Sequence, residues 1–290
     1  MEIKSSELIL NPDGSVYHLN LRPEHLAQDI IFVGDQDRVD RISQHFDTIE
    51  FKTQKREFKT HTGTYKGKRI SVISTGIGPD NIDIVVNELD ALVNIDFKTR
   101  TIKAQHTALN IVRVGTSGSL HSDIPVNSFL LAQYGLGLDN MLRSYQIENI
   151  VETNLEDAFI QHTNWDLRKG RPYVISNSSS LEEKLTSDQL FKGITATAGG
   201  FYGAQGRVLR LPLQDANLNH KIDSFYFEGN RVTNLEMETA AIYGLCKLLG
   251  HHAVSLNTII ANRADGTFSD TPYEAVDRLI QYTLDKLSQD

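Results

Sequence analysis

A repeated kind of junction constrains this chain more than any other feature of its sequence. Ile30 to Val33 is an unbroken apolar run that stops at Gly34-Asp35-Gln36-Asp37-Arg38, and Val39, Ile42 and Phe46 then follow at helical spacing. Arg69 to Thr75 runs into Gly76-Ile77-Gly78-Pro79-Asp80, and Ile82, Val85, Val86, Leu89, Leu92 and Val93 form the next stripe. Leu109 to Val114 runs into Gly115-Thr116-Ser117-Gly118, and Ile194 to Ala198 into Gly199-Gly200. An apolar run of strand length with no polar alternation has to be covered on both faces. Strands alternating with helices supply that cover, so the pattern predicts an α/β fold. Repeats, low-complexity linkers and a clean boundary are all missing, which predicts one domain over 1–290 with an N-terminal arm over about 1–20.

Composition narrows the function. The 290 residues suffice for a sizeable core, and the formal net charge of −8 disfavours broad binding to a nucleic-acid backbone. Any anion site must be a local cluster of Arg or Lys. The single cysteine, Cys246, cannot form an intrachain disulfide and reads as a small core residue. The N-terminal stretch has no apolar signal core and no apolar run reaches membrane-spanning length, so a cytoplasmic protein without a membrane partner is expected. The ten histidines show no metal-ligand spacing, and no metal is expected.

Several local elements can be read as well. A strand over about Glu50 to His61 is expected, then Gly63 to Tyr65, a turn at Lys66-Gly67-Lys68, and Asp80 as the cap of the following helix. Val126 to Tyr134 reads as a strand, Gly135-Leu136-Gly137 as a turn, and Glu156 to Leu167 as a helix on a polar insertion. His252 to Ala261 reads as a strand, and Pro272 to Leu287 as the terminal helix. The stretch from Thr233 opens with Glu236 and Glu238, read as first-turn residues, and then becomes an apolar helix stopped by Gly250.

Four places could carry chemistry. Gly34 and Arg38 form a strand-to-helix turn where backbone N–H groups can meet an anion. Arg113 interrupts an apolar run and needs a carboxylate or phosphate partner; a structural ion pair and an anion site are equally open. Phe201, Gln205 and Arg207 place a flat ring, a donor–acceptor amide and a planar fork in one glycine-rich loop, a set that suits the edge of an imide. Glu236 and Glu238 are either acids at a helix start or carboxylates that accept from a ligand's hydroxyls. Taken singly, each place also has a purely structural explanation.

Together, and in this order, Gly34 to Arg38, Arg56-Glu57-Phe58, Ser74 to Pro79, Arg113 to Gly118, Phe201 to Arg207, Asn234 to Ala240 and Asn262-Arg263 resemble the nucleoside phosphorylase superfamily of the uridine phosphorylase type. The resemblance implies a central mixed β-sheet flanked by helices, and a homodimer or homohexamer with shared active sites. It implies phosphate binding by Gly34, Arg38, Arg113 and Thr116, with Arg56 donated by a neighbouring subunit. It places ribose at Met237 and Glu238 with Glu236 beside them, and at His18 from across the dimer. The base would meet Phe201, Gln205 and Arg207, supported by Arg263, and Arg113, Arg207 and Glu238 would carry catalysis. The implied reaction is phosphorolysis of uridine, or of deoxyuridine or thymidine, to the free base and the sugar 1-phosphate, with inorganic phosphate as co-substrate and no cofactor. Gly76-Ile77-Gly78-Pro79-Asp80 lacks a glycine and a serine of the family's usual loop, which argues against a potassium site with Glu57. A purine nucleoside phosphorylase, a nucleosidase and a non-catalytic nucleoside-binding protein are the competing expectations.

Overall fold

A computed structural model describes residues 2–289. The strands in chain order are β1 (Asp29–Val33), β2 (Thr48–Lys55), β3 (Phe58–Tyr65), β4 (Lys68–Ser74), β5 (Ile95–Asp96), β6 (Thr101–Ile102) and β7 (Asn110–Ser119). They continue with β8 (Phe129–Gly137), β9 (Tyr173–Ser176), β10 (Leu190–Thr197), β11 (Tyr226–Phe227), β12 (Asn230–Glu236), β13 (His252–Asn262) and β14 (Thr267–Phe268). The α-helices are α1 (Gln36–Ser43), α2 (Pro79–Asn94), α3 (Thr153–Thr163), α4 (Ser179–Leu185), α5 (Leu218–Asp223), α6 (Thr239–Leu249) and α7 (Pro272–Ser288).

Apart from β5 and β6, which pair only with each other, the strands form one mixed sheet in the order β11-β12-β10-β8-β13-β7-β1-β4-β3-β2, with β9 on β8, β14 on β13, and β12 also pairing β7. That extra pairing, Asn234 with Ser119 and Leu235 with Gly118, closes β7, β13, β8, β10 and β12 into a ring. The rest of the sheet runs outward from β7 through β1 and β4, both parallel, to the antiparallel β4-β3-β2 meander.

The expected α/β fold with a mixed sheet flanked by helices is what the chain adopts. The physical reason is visible in β1, buried along its whole length. Ile30 and Phe32 pack with α2 and α6, while Ile31 and Val33, on the opposite face, pack with α1, α4 and α7.

Several local expectations are corrected. The strand over Glu50 to His61 is two strands joined by a tight turn at Arg56-Glu57, with Lys55 facing Phe58. Arg56 takes the turn at φ 56, a left-handed conformation that glycine or asparagine usually fills, so the sequence carries no turn signal there. Within 1–20, Val16 and Leu19 are fully buried in the main core. Asp80 does not cap α2; Gly78, at φ 98, holds the cap position and Pro79 begins the helix. Gly135 and Gly137 lie inside β8 rather than in a turn. A Cβ on Gly135 would stand 2.6 Å from the Ala240 Cα, and one on Gly137 would stand 2.1 Å from the Tyr173 ring.

The helix expected to carry Glu236 and Glu238 in its first turn starts after both of them. Residues through Glu236 belong to β12, and α6 begins only at Thr239, stopping at Gly250 with φ 75 as expected. The polar insertion is anchored inside the protein. Glu156 on α3 is buried and pairs with Arg143 at 3.1 Å and Arg171 at 3.3 Å.

Candidate active site

The C-terminal ends of β1, β7 and β12 and the loop after β10 meet above the ring at a cavity of about 300 Å³. Gly34, Arg38, Arg113, Thr116, Phe201, Gln205, Arg207, Glu236, Met237 and Glu238 all line it. Open α/β sheets place ligands at these strand ends. A larger space of about 710 Å³ lies beyond Arg207, walled mainly by Leu209, Leu211, Leu213 and Leu218. Arg207 and Arg210 line it as well, but it has no counterpart to the buried Glu236 and Glu238 around Arg113.

Arg113 is the hub. Its Nη2 donates to Glu238 Oε2 at 2.6 Å and lies 3.3 Å from Glu236 Oε2, while Nη1 donates to Asn257 Oδ1 at 2.9 Å. The fold makes room for this: a Cβ on Gly115 would sit 1.9 Å from Arg113 Nη1, so only glycine lets the guanidinium lie back over its own strand. Burial alone would depress the Arg113 guanidinium, but Glu236 and Glu238 outweigh it and raise its pKa. Burial pushes the Glu238 carboxyl above the usual range, against the pull of Arg113. Arg38 projects toward the same group and donates to Val114 O at 3.2 Å, with its Nε unpartnered among the described residues. Burial and then Arg113 lower its pKa to about 10, so it stays cationic at neutral pH.

Both acids are tied into the backbone. Glu236 accepts from Thr197 Oγ1 at 2.6 Å, from Glu238 N at 2.8 Å and from Thr239 N at 3.0 Å, so it serves the start of α6 from the end of the preceding strand. Glu238 Oε1 accepts from Gly78 N at 2.8 Å, which brings the glycine loop before α2 down onto the site. The two structural options for Arg113 therefore coincide: the ion pair exists, and it forms the floor of a cavity.

The loop after β10 builds the other wall. Gln205 is buried, and its Oε1 accepts from Arg207 Nη1 at 2.6 Å and from Arg263 Nη2 at 2.8 Å. Arginine can only donate, so the carbonyl side of the Gln205 amide must face the two guanidinium groups and its NH2 must face away. Arg263 also holds the loop backbone through Gln205 O at 2.7 Å. The Arg207 guanidinium lies 3.9 Å from the centre of the Phe201 ring. Burial, and then Arg207, lower the Arg263 guanidinium to about 10, and burial also lowers that of Arg207.

The Phosphorylase superfamily model matches residues 28–287. The chain belongs to that superfamily. The uridine phosphorylase of Thermococcus kodakarensis is 29% identical over 271 residues, which cover 91% of this chain and 83% of that protein. A DeoD-type purine nucleoside phosphorylase of Listeria monocytogenes is 27% identical over 244 residues, covering 83% of this chain and 85% of that one. Among solved structures, a Trypanosoma brucei nucleoside phosphorylase described as showing uridine phosphorylase activity is similar with TM-score 0.87 and 31% identity, covering 97% of this chain and 99% of that one.

Two of the residues expected at the site stand apart from the cavity. Arg56 is exposed at the β2–β3 turn, where its carbonyl accepts from Gln36 Nε2 at 2.5 Å. His18 pairs through Nδ1 with Glu88 Oε1 on α2 at 2.6 Å. Arg263 reaches the cavity only through Gln205. Other lining residues were missed: Ile77 and Phe268, 70% and 62% exposed at the rim, and Ile260 and Ala261. Thr197 and Asn257, which hold Glu236 and Arg113, were missed too; a polar residue inside an apolar strand was the available signal.

The fold also gathers Asp90, His106 and His251, with their ligand atoms within 4.8 Å of one another. His251 Nδ1 accepts from Leu109 N at 3.2 Å, so its proton sits on Nε2, 3.3 Å from Asp90 Oδ1. That tautomer puts an N–H rather than a lone pair on Nε2, which makes no hydrogen bond among the described residues and is not a metal ligand in this form. No helix among the described residues is long and apolar enough to cross a membrane.

Proposed function

We propose that this protein catalyses the reversible phosphorolysis of uridine, with deoxyuridine and thymidine as related substrates, giving the pyrimidine base and the (deoxy)ribose 1-phosphate. The observation that carries the reading is the Gln205 amide, fixed by Arg207 and Arg263 on the wall facing the Arg113–Glu238 pair. A pyrimidine dione presents carbonyl oxygens to such donors, and negative charge grows on those oxygens as the base leaves. The similarity to proteins named uridine phosphorylases supports the same reading.

In this mechanism phosphate lies against Gly34, Arg38, Arg113 and Thr116, and the ribose hydroxyls lie against Glu238 and Met237, with Glu236 holding the turn beneath them. A phosphate oxygen forms a bond to C1′ as the C1′–N1 bond breaks. The electron pair of that bond passes into the ring and onto its carbonyl oxygens, and N1 later takes a proton from solvent. Arg207 and Gln205 bind the departing anion more strongly than the neutral base, which is where the rate gain arises. Holding phosphate and sugar in line removes much of the entropic barrier. The reading includes a homodimer or homohexamer in which Arg56 and His18, away from their own cavity, serve a neighbour's site. It includes no cofactor, metal or potassium ion.

The test is release of uracil from uridine, with and without phosphate. No uracil from uridine or deoxyuridine at high phosphate overturns the proposal. The second reading, a purine nucleoside phosphorylase, is favoured by the similarity to the Listeria enzyme. Against it, Asp265, the acid nearest Arg263 in sequence, is exposed and does not line the cavity. Faster turnover of inosine than of uridine would favour the purine reading; turnover without phosphate would indicate a nucleosidase.

A further inference from the structure

We infer that Asn257 is a positioning residue for phosphate: it holds the Arg113 guanidinium in place while adding no negative charge beside the anion. The inference rests on the proposed role of Arg113 in phosphate binding.

Strand register sets the arrangement. On the β7–β13 ladder Ser255 stands opposite Arg113, and Asn257 opposite Gly115. Arg113 folds over Gly115, where no Cβ could be tolerated, and so brings Nη1 to the side chain of Asn257 at 2.9 Å. Asn257 is fully buried in mid-strand, where a polar side chain has to find partners. Its orientation is chemically forced. Arginine only donates, so Asn257 must turn its carbonyl to Arg113 and its NH2 toward Ser255 Oγ, 3.4 Å away. Ser255 Oγ in turn accepts from Thr239 Oγ1 at 2.8 Å, and Thr239 is the first residue of α6. The polar chain under Arg113 therefore links β13 to the helix whose start carries Glu238.

The choice of an amide is informative. Arg113 already faces Glu236 and Glu238, and a third carboxylate would satisfy Nη1 equally well. A carboxylate at 257 would, however, leave Arg113 outnumbered by three acids where a dianion has to bind. In a buried site a single added charge a few ångströms from an anion is strongly felt. Asparagine gives the same geometry as aspartate without that charge.

The experiment compares wild type, Asn257→Asp and Asn257→Ala for thermal stabilisation by inorganic phosphate, and for the KM values of phosphate and uridine. For Asn257→Asp the phosphate needed for half-maximal stabilisation and the phosphate KM should rise by about tenfold or more, with the uridine KM changed by less than about threefold. Asn257→Ala, which frees Nη1 without adding charge, should lower kcat and raise the phosphate KM by less than Asn257→Asp does. Asn257→Asp with wild-type phosphate dependence overturns the inference and leaves the proposed reaction standing. Should Asn257→Asp fail to fold, Asn257→Ala with unchanged kcat and phosphate KM overturns it. A wild-type protein that neither binds nor uses phosphate overturns the proposed reaction itself and the inference with it.

Discussion

The two walls of the cavity are built in opposite ways. The wall around Arg113 comes from strand ends and a helix start, with Glu236, Glu238 and Asn257 buried and hydrogen-bonded to backbone and to one another. The wall around Gln205 comes from a loop whose Phe201 is 51% exposed and whose order depends on Arg207 and Arg263. The first wall is part of the core and the second is attached to it. A side chain lost from the first should therefore damage folding as well as chemistry, and one lost from the second should damage chemistry alone.

Arg113→Ala is the severest test of that contrast. It leaves Glu236 and Glu238 buried without their cation, at a cost of about 3–5 kcal/mol in stability. Activity should fall at least about a thousandfold. Denaturant unfolding and steady-state kinetics check both; a stable but inactive variant would show that this wall is less embedded than its bonds indicate.

Arg207→Ala should come next. Uridine turnover should fall about a hundredfold, with stability changed by less than about 1 kcal/mol and phosphate stabilisation nearly intact. Equal loss of turnover and phosphate binding would break the division between the walls.

The smallest effect concerns acid. His61 on β3 is buried against α1, bonded to Ser43 Oγ at 2.8 Å, and burial, then Lys52, hold its pKa down to about 4, with Lys59 adding to and Asp40 opposing that shift. The folded state thus resists a proton that the unfolded chain accepts near pH 6.5. Stability is complete above that value and declines as pH falls toward 4, by about 3 kcal/mol. His61→Gln should flatten the decline between pH 6.5 and 4.5 in urea titrations. Such a variant separates acid loss of the fold from acid loss of the site.

The sequence makes the frame legible because buried strands such as Ile30 to Val33 have no other explanation. It also makes Gln205 and Arg207 legible, two residues apart in one loop. The turn at Arg56-Glu57 was hidden because neither residue is a turn former. Gly135 and Gly137 misled for the opposite reason: their glycines answer to Ala240 and Tyr173, more than thirty residues away in sequence, not to local bending. The Arg113 cluster could be suspected from one arginine in an apolar run. Its partners come from strands and turns that only the folded register brings together.

The ring of strands has a consequence for how the protein is made. β13 inserts between β7 and β8, yet it is the last member of the ring to be synthesised, ending at Asn262. Until it leaves the ribosome, β7 and β8 lack the strand that lies between them, and Arg113 lacks Asn257. The cavity is therefore completed only once Asn262 has been made, by long-range pairing of the kind that forms slowly. A nascent chain stalled before β13 would carry Arg38, Arg207 and Glu238 and still have no finished site.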